Sequence, residues 1–91
     1  MGKIKVEKIS PEEMEKRGIK NWGIWEKDIS EFPWEYGQTE VCYIIEGQAE
    51  ITDQDTGEKV IIKSGDLVTF SSGLNSFWKI IEPIKKYYNF E

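Results

Sequence analysis

The stretch TEVCYIIEGQAEI, residues 39–51, decides the fold of this chain. It reads as a buried β-strand that passes through a glycine into a second strand, so we expect a bend or bulge at Gly47. Side chains alternate between the two faces of a strand, which places Glu40 on the same face as Cys42 and Ile44. A carboxylate at a core-facing position is costly unless it is paired, hydrogen-bonded or neutralised. The position of Glu40 therefore needs an explanation.

Short strands and turns continue on the C-terminal side of this stretch. Residues 53–57 predict a hairpin turn, with Gly57 suited to a left-handed conformation, and residues 59–63 form the returning strand. Pro83 is expected to separate the last two strands of the chain. The remaining predicted strands cover residues 67–70, 76–81 and 84–90.

On the N-terminal side, one helix is predicted. Ser10 can cap it, Pro11 suits its first position and Glu13 completes a capping box, so we expect a helix over about residues 11–17 that stops at Gly18. Residues 22–27 carry an aromatic ring on each face of a strand, and residues 30–37 end in a turn. The pattern predicts an all-β sandwich or closed barrel with one short N-terminal helix. With 91 residues, we expect a single domain over 1–91.

The composition excludes several function classes. The formal net charge is −5 and no basic patch stands out, which argues against nucleic acid as a partner. No apolar run approaches the length of a membrane span. The single cysteine cannot form an internal disulfide, which fits a reducing cytoplasm. The balance of lysine and glutamate is typical of a thermophile.

Two spacings in the chain resemble the two signature motifs of the cupin family. Glu40, six residues and Gly47 resemble the end of the first motif, which runs H-x-H, three or four residues, E, six residues, G. Gly65 and Gly73 fit the second motif, which runs G, five residues, P-x-G, two residues, H. The closing segment FWKIIEPIKKYYNF, residues 77–90, resembles the ureidoglycine aminohydrolase-like subgroup and small thermophile cupins without an assigned activity. The matching residues there are Trp78, Glu82, Lys85, Lys86 and Tyr88.

The resemblance implies a conical β-barrel of two packed sheets (a double-stranded β-helix, or jelly roll) that is usually dimeric. In metal-binding cupins, three histidines and a glutamate hold an ion inside the barrel. Carried over, the H-x-H pair falls on Trp34 and Tyr36, the glutamate on Glu40 and the last histidine on Ser76. The chain contains no histidine, and beside Glu40 only Cys42 is a good ligand, whereas a metal site needs three or four. We therefore expect no metal ligands and no cofactor.

The replaced positions instead predict an aromatic-lined pocket. An apolar cavity with a few convergent polar groups is typical of small-molecule sites, and aromatic faces favour a ring, a sugar face or a cation. The alternative is that the rings simply fill the barrel and that Cys42 is a small buried hydrophobe. The predicted ligand-binding residues are Trp34, Tyr36, Glu40, Cys42, Ser76, Trp78, Lys86 and Tyr88.

Glu40 has three open interpretations. It can be paired with a neighbour such as Lys86, Ser76 or the hydroxyl of Tyr36 or Tyr88. It can lie at an open strand end in contact with water. It can also contact a ligand or act as a catalytic acid or base.

Three functions follow from these observations. The first is a small cupin that binds an unidentified small molecule without a metal. The second is an enzyme related to ureidoglycine aminohydrolase, acting in C–N hydrolysis with a degenerate metal site; whether the chain is an enzyme is left open, because the absence of imidazole weighs against it. The third is a non-catalytic scaffold that forms a homodimer, with residues 3–7 as a strand exchanged between subunits.

Overall fold

The computed structural model describes residues 2–91. Strand β1 (Ile4–Lys8) comes first, followed by helix α1 (Pro11–Lys16) and a 3-10 turn at Ile19–Asn21. The other strands are β2 (Gly23–Lys27), β3 (Ser30–Glu35), β4 (Glu40–Asp53), β5 (Lys59–Lys63), β6 (Asp66–Phe70) and β7 (Asn75–Phe90).

The strands form one continuous antiparallel sheet that is organised around β4 and β7. These two strands pair along most of their length, and the two halves of each have different neighbours. In the first half of β4 and the second half of β7, the strand order is β1-β6-β4-β7-β2. We call this part of the sheet the helix-side half-sheet. The second half of β4 and the first half of β7 lie between β5 and β3, the open half-sheet. The predicted all-β barrel with one short N-terminal helix is confirmed.

The predicted bulge at Gly47 is where one half-sheet passes into the other. The register between β4 and β7 shifts three times between Ile44 and Ala49. Gly47 has φ +92°, and a Cβ atom there would lie 2.2 Å from the carbonyl oxygen of Pro83. Only glycine fits this left-handed and crowded position.

Pro83 does not break the last strand, so the prediction of two strands there was wrong. β7 runs from Asn75 to Phe90 without interruption. Proline lacks the N–H that a sheet ladder needs, but Pro83 lies opposite the bulge, where it has no cross-strand partner in the register. The proline therefore costs the ladder no hydrogen bond.

The structure also contains a strand that the sequence did not predict. No strand was predicted within residues 30–37, which were expected to end in a turn; Ser30–Glu35 forms β3, and Pro33 pairs with Phe77 of β7. A proline is tolerated here because β3 pairs only with β7 and is an edge strand.

Helix α1 starts and stops close to the prediction. The Ser10 hydroxyl accepts a hydrogen bond from the Glu13 amide, and Gly18 is left-handed with φ +66°. The prediction of a full capping box was wrong. The Glu13 carboxylate accepts a hydrogen bond from Arg17, one turn later, and not from the backbone N–H of Ser10, as a capping box requires.

Two apolar clusters lie on opposite faces of the sheet. The inner cluster fills the space between the half-sheets, and the outer cluster packs α1 and the 3-10 turn against the back of the helix-side half-sheet. Trp22 packs on the outer cluster and Trp25 on the inner one, as the ring on each face of residues 22–27 predicts. The inner cluster surrounds the candidate site.

Strand β1 pairs with β6 of its own chain. An exchange of this strand between subunits, and the homodimer itself, stay predictions.

Candidate functional site

Glu40, Cys42 and Lys86 form a buried group on the inner face of the helix-side half-sheet. Strand alternation points Glu40 and Cys42 of β4 inward, and the register places Lys86 of β7 opposite Ile44, one inward position further along. The Lys86 ammonium donates to Oε2 of Glu40 at 2.8 Å and contacts the Cys42 sulfur at 3.2 Å. The thiol in turn donates to the same Oε2 at 2.8 Å. Glu40 therefore faces inward and is paired with Lys86, one of the partners predicted for it, and an open, wet strand end is wrong.

Three aromatic rings surround the Lys86 ammonium. Its nitrogen lies 4.9 Å from the ring centre of Trp25 and 5.0 Å from that of Trp78. Phe70 is 5.9 Å away. The negative faces of the rings attract the cation and offset part of the cost of removing it from water. These ring faces are thus already occupied by a cation of the chain itself.

The surroundings of Lys86, Cys42 and Tyr36 shift the pKa of each and so set its protonation state. Burial alone would lower the pKa of Lys86, but contact with the Cys42 sulfur and the Glu40 carboxylate outweighs burial and raises it. Burial raises the pKa of the Cys42 thiol to about 12, and Lys86 only partly opposes this. Burial, reinforced by the Glu40 charge, also raises the pKa of Tyr36. At neutral pH the site therefore holds an ammonium, a thiol and a phenol.

A cavity of about 230 Å³ lies above this group. Glu40 and Lys86 form its polar base, and aromatic side chains form its walls. Trp34, 52% exposed, and Phe90, also half exposed, stand at its mouth. The lining residues are Trp25, Phe32, Trp34, Tyr36, Glu40, Trp78, Lys86, Tyr88 and Phe90. The alternative interpretation required the rings to fill the barrel, and they do not.

The aromatic walls are held by contacts between rings. Trp78 and Phe32 stack with centres 6.0 Å apart, and Trp25 meets Trp78 edge-on at 5.9 Å. Tyr36 stacks on Phe70 at 4.8 Å. Such pairs favour defined geometries, so the walls are shaped before any ligand binds.

Six of the eight predicted site residues line this cavity, and two do not. Cys42 is fully buried beneath Glu40 and Lys86 and is absent from the cavity wall. Ser76 points inward but donates its hydroxyl to the Trp34 carbonyl oxygen at 2.6 Å, so it fixes β3 to β7. The six that line it are Trp34, Tyr36, Glu40, Trp78, Lys86 and Tyr88.

The sequence did not identify Trp25, Phe32 and Phe90 as cavity residues. Trp25 lies in a segment with rings on both faces, so alternation alone did not show which ring points inward. Phe32 belongs to the strand that Pro33 concealed. Recognition of β3 as an edge strand opposite Trp78 would have placed Phe32 beside it.

The residues present do not fit a metal ion of the kind that metal-binding cupins hold. Within residues 2–91, no three His, Cys, Asp or Glu side chains are grouped closely enough to hold one. The two good ligands, Glu40 and Cys42, both contact the Lys86 ammonium. A cation next to Lys86 would meet direct repulsion.

The sequence and the structure resemble known proteins. The sequence profile of the EutQ-like cupin domain matches residues 14–88. The chain belongs to the EutQ-like cupin family. This EutQ-like cupin is also 48% identical to a DUF861 family protein from Thermotoga maritima, whose crystal structure it matches with a TM-score of 0.94. That match covers 97% of this chain and 99% of the other.

Two EutQ proteins share the fold at lower identity. A putative ethanolamine utilization protein Q from Salmonella typhimurium is 19% identical with a TM-score of 0.67, over 96% of this chain and 68% of the other. EutQ of Clostridium difficile is 20% identical with a TM-score of 0.65, over 93% and 64%. Among proteins with curated functions, none matches this cupin significantly.

The comparisons support a small cupin and leave the finer likeness to ureidoglycine aminohydrolase as a prediction. No helix in the described chain is long and apolar enough to cross a membrane. The cytoplasmic location and the thermophilic source also stay predictions.

Proposed function

We propose that this EutQ-like cupin binds a small organic molecule in the cavity between its half-sheets, without a metal. The observation that carries the proposal is the cavity itself: about 230 Å³ of open space with seven aromatic walls and a charged pair, Glu40 and Lys86, at its base. Apolar walls with a few convergent polar groups are the usual form of such sites. The walls supply affinity by burial and the base supplies orientation.

The volume limits the size of the ligand. An engineered apolar cavity of about 150 Å³ binds benzene, and the cavity here is larger by roughly half and open at one end. It therefore suits one ring with a few substituents. The aromatic side chains of the walls lose little conformational entropy when a ligand binds, because their rings are already packed against one another.

The enzymatic alternative, C–N hydrolysis related to that of ureidoglycine aminohydrolase, has weaker support. Glu40 is the candidate acid or base, but its Oε2 accepts from both Lys86 and Cys42. The chain has no histidine for proton transfer near neutral pH. Stoichiometric Mn, Ni, Fe or Zn in the purified protein, lost on Glu40→Ala, would favour this alternative over ours.

The scaffold alternative requires no ligand at all. Sedimentation at several concentrations will show whether a homodimer forms, and a dimer is compatible with either function. A scaffold that binds nothing is excluded only by a saturable ligand.

Tryptophan fluorescence tests the proposal directly, because three of the four tryptophans line the cavity and Trp22 lies outside it. We expect saturable changes in emission with at least one of three single-ring probes: toluene, phenol or 2-pyridone. Trp25→Leu should weaken binding. Trp22→Phe, the matched control on the opposite face of the sheet, should leave the affinity unchanged. Absence of saturation with all three probes up to their solubility limits would contradict the proposal.

A further inference from the structure

The base of the cavity has both a free acceptor and a free donor. Both hydrogen bonds to the Glu40 carboxylate go to Oε2, so among the described residues Oε1 accepts none. In this part of the chain, Trp78 Nε1 is the only fully enclosed side-chain N or O atom without a partner, so Oε1 still faces open space. Lys86 has three N–H groups and uses two, on Glu40 and Cys42. Acceptor and donor lie side by side, because the two groups are directly bonded.

The charge of the base selects against ionic ligands. Glu40 and Lys86 cancel each other, and both are almost fully buried. A cationic ligand would find the faces of Trp25 and Trp78 already occupied by the Lys86 ammonium and would be repelled by it. An anionic ligand would leave one uncompensated negative charge beside Glu40 in a water-poor site. A neutral ligand avoids both costs.

The walls and volume select a flat, single ring. Seven of the nine residues that line the cavity carry an aromatic ring, and two of them, Phe32 and Trp78, lie within 10° of parallel. Flat faces pack best on a planar ring, in offset or edge-on contact. A second fused ring with substituents exceeds the cavity of about 230 Å³.

We infer that the ligand class is a neutral, single-ring cyclic amide, whose ring N–H donates to Oε1 of Glu40 while the adjacent C=O accepts from Lys86. This inference rests on the proposed function and deepens it. An N–H and a C=O on neighbouring ring atoms match the free acceptor and donor, which lie side by side at the base. A site built to hydrogen-bond a ligand group rejects an analogue that lacks it, because the buried protein group is then left unpaired.

The Tyr36 hydroxyl adds a second polar group to the wall. Among the described residues it has no hydrogen bond of normal geometry, and like Oε1 it is not enclosed. The raised pKa keeps it protonated, so it can donate to the second lone pair of the ligand carbonyl. The Trp78 N–H lies nearby and lowers the pKa of Tyr36, against the larger effect of burial. This N–H is buried and has no hydrogen-bond partner among the described residues.

A panel of probes against the wild-type protein tests the inference. 2-Pyridone presents the N–H beside the C=O, N-methyl-2-pyridone lacks the donor, benzoate is anionic, benzyltrimethylammonium is cationic, and toluene has no polar group. We expect 2-pyridone to bind at least about tenfold more tightly than each of the other four, measured by amide chemical shifts or tryptophan emission. Equal binding of 2-pyridone, its N-methyl form and toluene would overturn the inference and leave the proposed function standing. If none of the five binds, the inference fails, and the proposed function fails with it unless phenol binds saturably.

The double substitution Glu40→Leu with Lys86→Met supplies the control. It removes donor and acceptor together and leaves no unpaired charge, a change that proteins often tolerate. We expect this variant to bind toluene and to lose the preference for 2-pyridone over its N-methyl form. A preference that persists in the folded double variant would overturn the assignment to Glu40 and Lys86. If the double variant does not fold, Tyr36→Phe gives a second measure: 2-pyridone should weaken severalfold while toluene is unaffected, and equal loss of both would count against the inference.

Discussion

Removal of the Lys86 charge alone should destabilise the protein severely. In Lys86→Met the aliphatic stem is kept, but the Glu40 carboxylate loses the ammonium at 2.8 Å. Both side chains are only 7% exposed, so solvent does little to screen the pair. Breaking a buried ion pair by removing one partner costs about 3–5 kcal/mol, mostly because the other charge is left unpaired. For a domain of this size, that loss lowers Tm by roughly 12–40 °C.

The double variant should recover most of this loss. Glu40→Leu with Lys86→Met leaves no charge unpaired, and we expect a stability within about 2 kcal/mol of the wild type. Each single variant leaves one buried charge unpaired, so the coupling between the two sites, from the wild type, both single variants and the double variant, should be at least about 4 kcal/mol. Lys79→Met is the matched control, since the same change on an exposed position of β7 should alter stability by less than about 0.5 kcal/mol.

Urea unfolding followed by far-UV circular dichroism measures all five proteins. A Lys86→Met variant within about 1 kcal/mol of the wild type would refute the reasoning, because a buried unpaired carboxylate cannot be that cheap. A double variant less stable than Lys86→Met would refute it as well. In that case the pair would owe its stabilising effect to contacts other than its charges.

Three further predictions follow from the same geometry. Because the pKa of Cys42 is raised from 9.0 to about 12, its contribution to stability is present below pH 9 and is lost as pH rises towards 12; Lys86, also raised, acts in the same sense at higher pH. Stability should fall by up to about 1.4 kcal/mol per pH unit from this thiol, and Cys42→Ala should remove that part of the slope in urea titrations at pH 8–11. In the native protein, Cys42 should react with a thiol reagent only as fast as the chain opens, since it is fully buried and protonated; rapid labelling without unfolding would contradict this. Gly47→Ala should cost at least about 3 kcal/mol or prevent folding, because its Cβ would overlap Pro83, whereas Gly57→Ala, at φ +80° with nothing within 4 Å, should cost only about 1 kcal/mol; equal losses would refute the crowding argument.

The sequence was informative where alternation and turn chemistry act locally. Strand periodicity placed Glu40 inward, and a glycine between two strand-like segments placed the bulge at Gly47. The charge of Lys86 on an inward position made it a candidate partner for Glu40. These features follow from a few neighbouring residues and do not depend on distant packing.

The sequence was less informative where the tertiary context reverses a local rule. Pro33 and Pro83 argue against strands, but an edge strand and a bulge, respectively, remove the need for their missing N–H groups. Ser76 was expected to line the cavity, yet its hydroxyl is used by the Trp34 carbonyl oxygen. Trp25 was ambiguous because its segment carries rings on both faces. Which polar group is already satisfied, and by what, depends on contacts between strands that are far apart in the chain.

The ammonium at the base of the cavity has a consequence for how dependable the site is. An ion can be stripped, exchanged or withheld when its supply in the surroundings changes. The positive charge of Lys86 arrives with translation, one per molecule, and chelators cannot extract it. Every folded copy therefore has the same charged pair, Lys86 and Glu40, at the base of its cavity, whatever metal ions its surroundings supply.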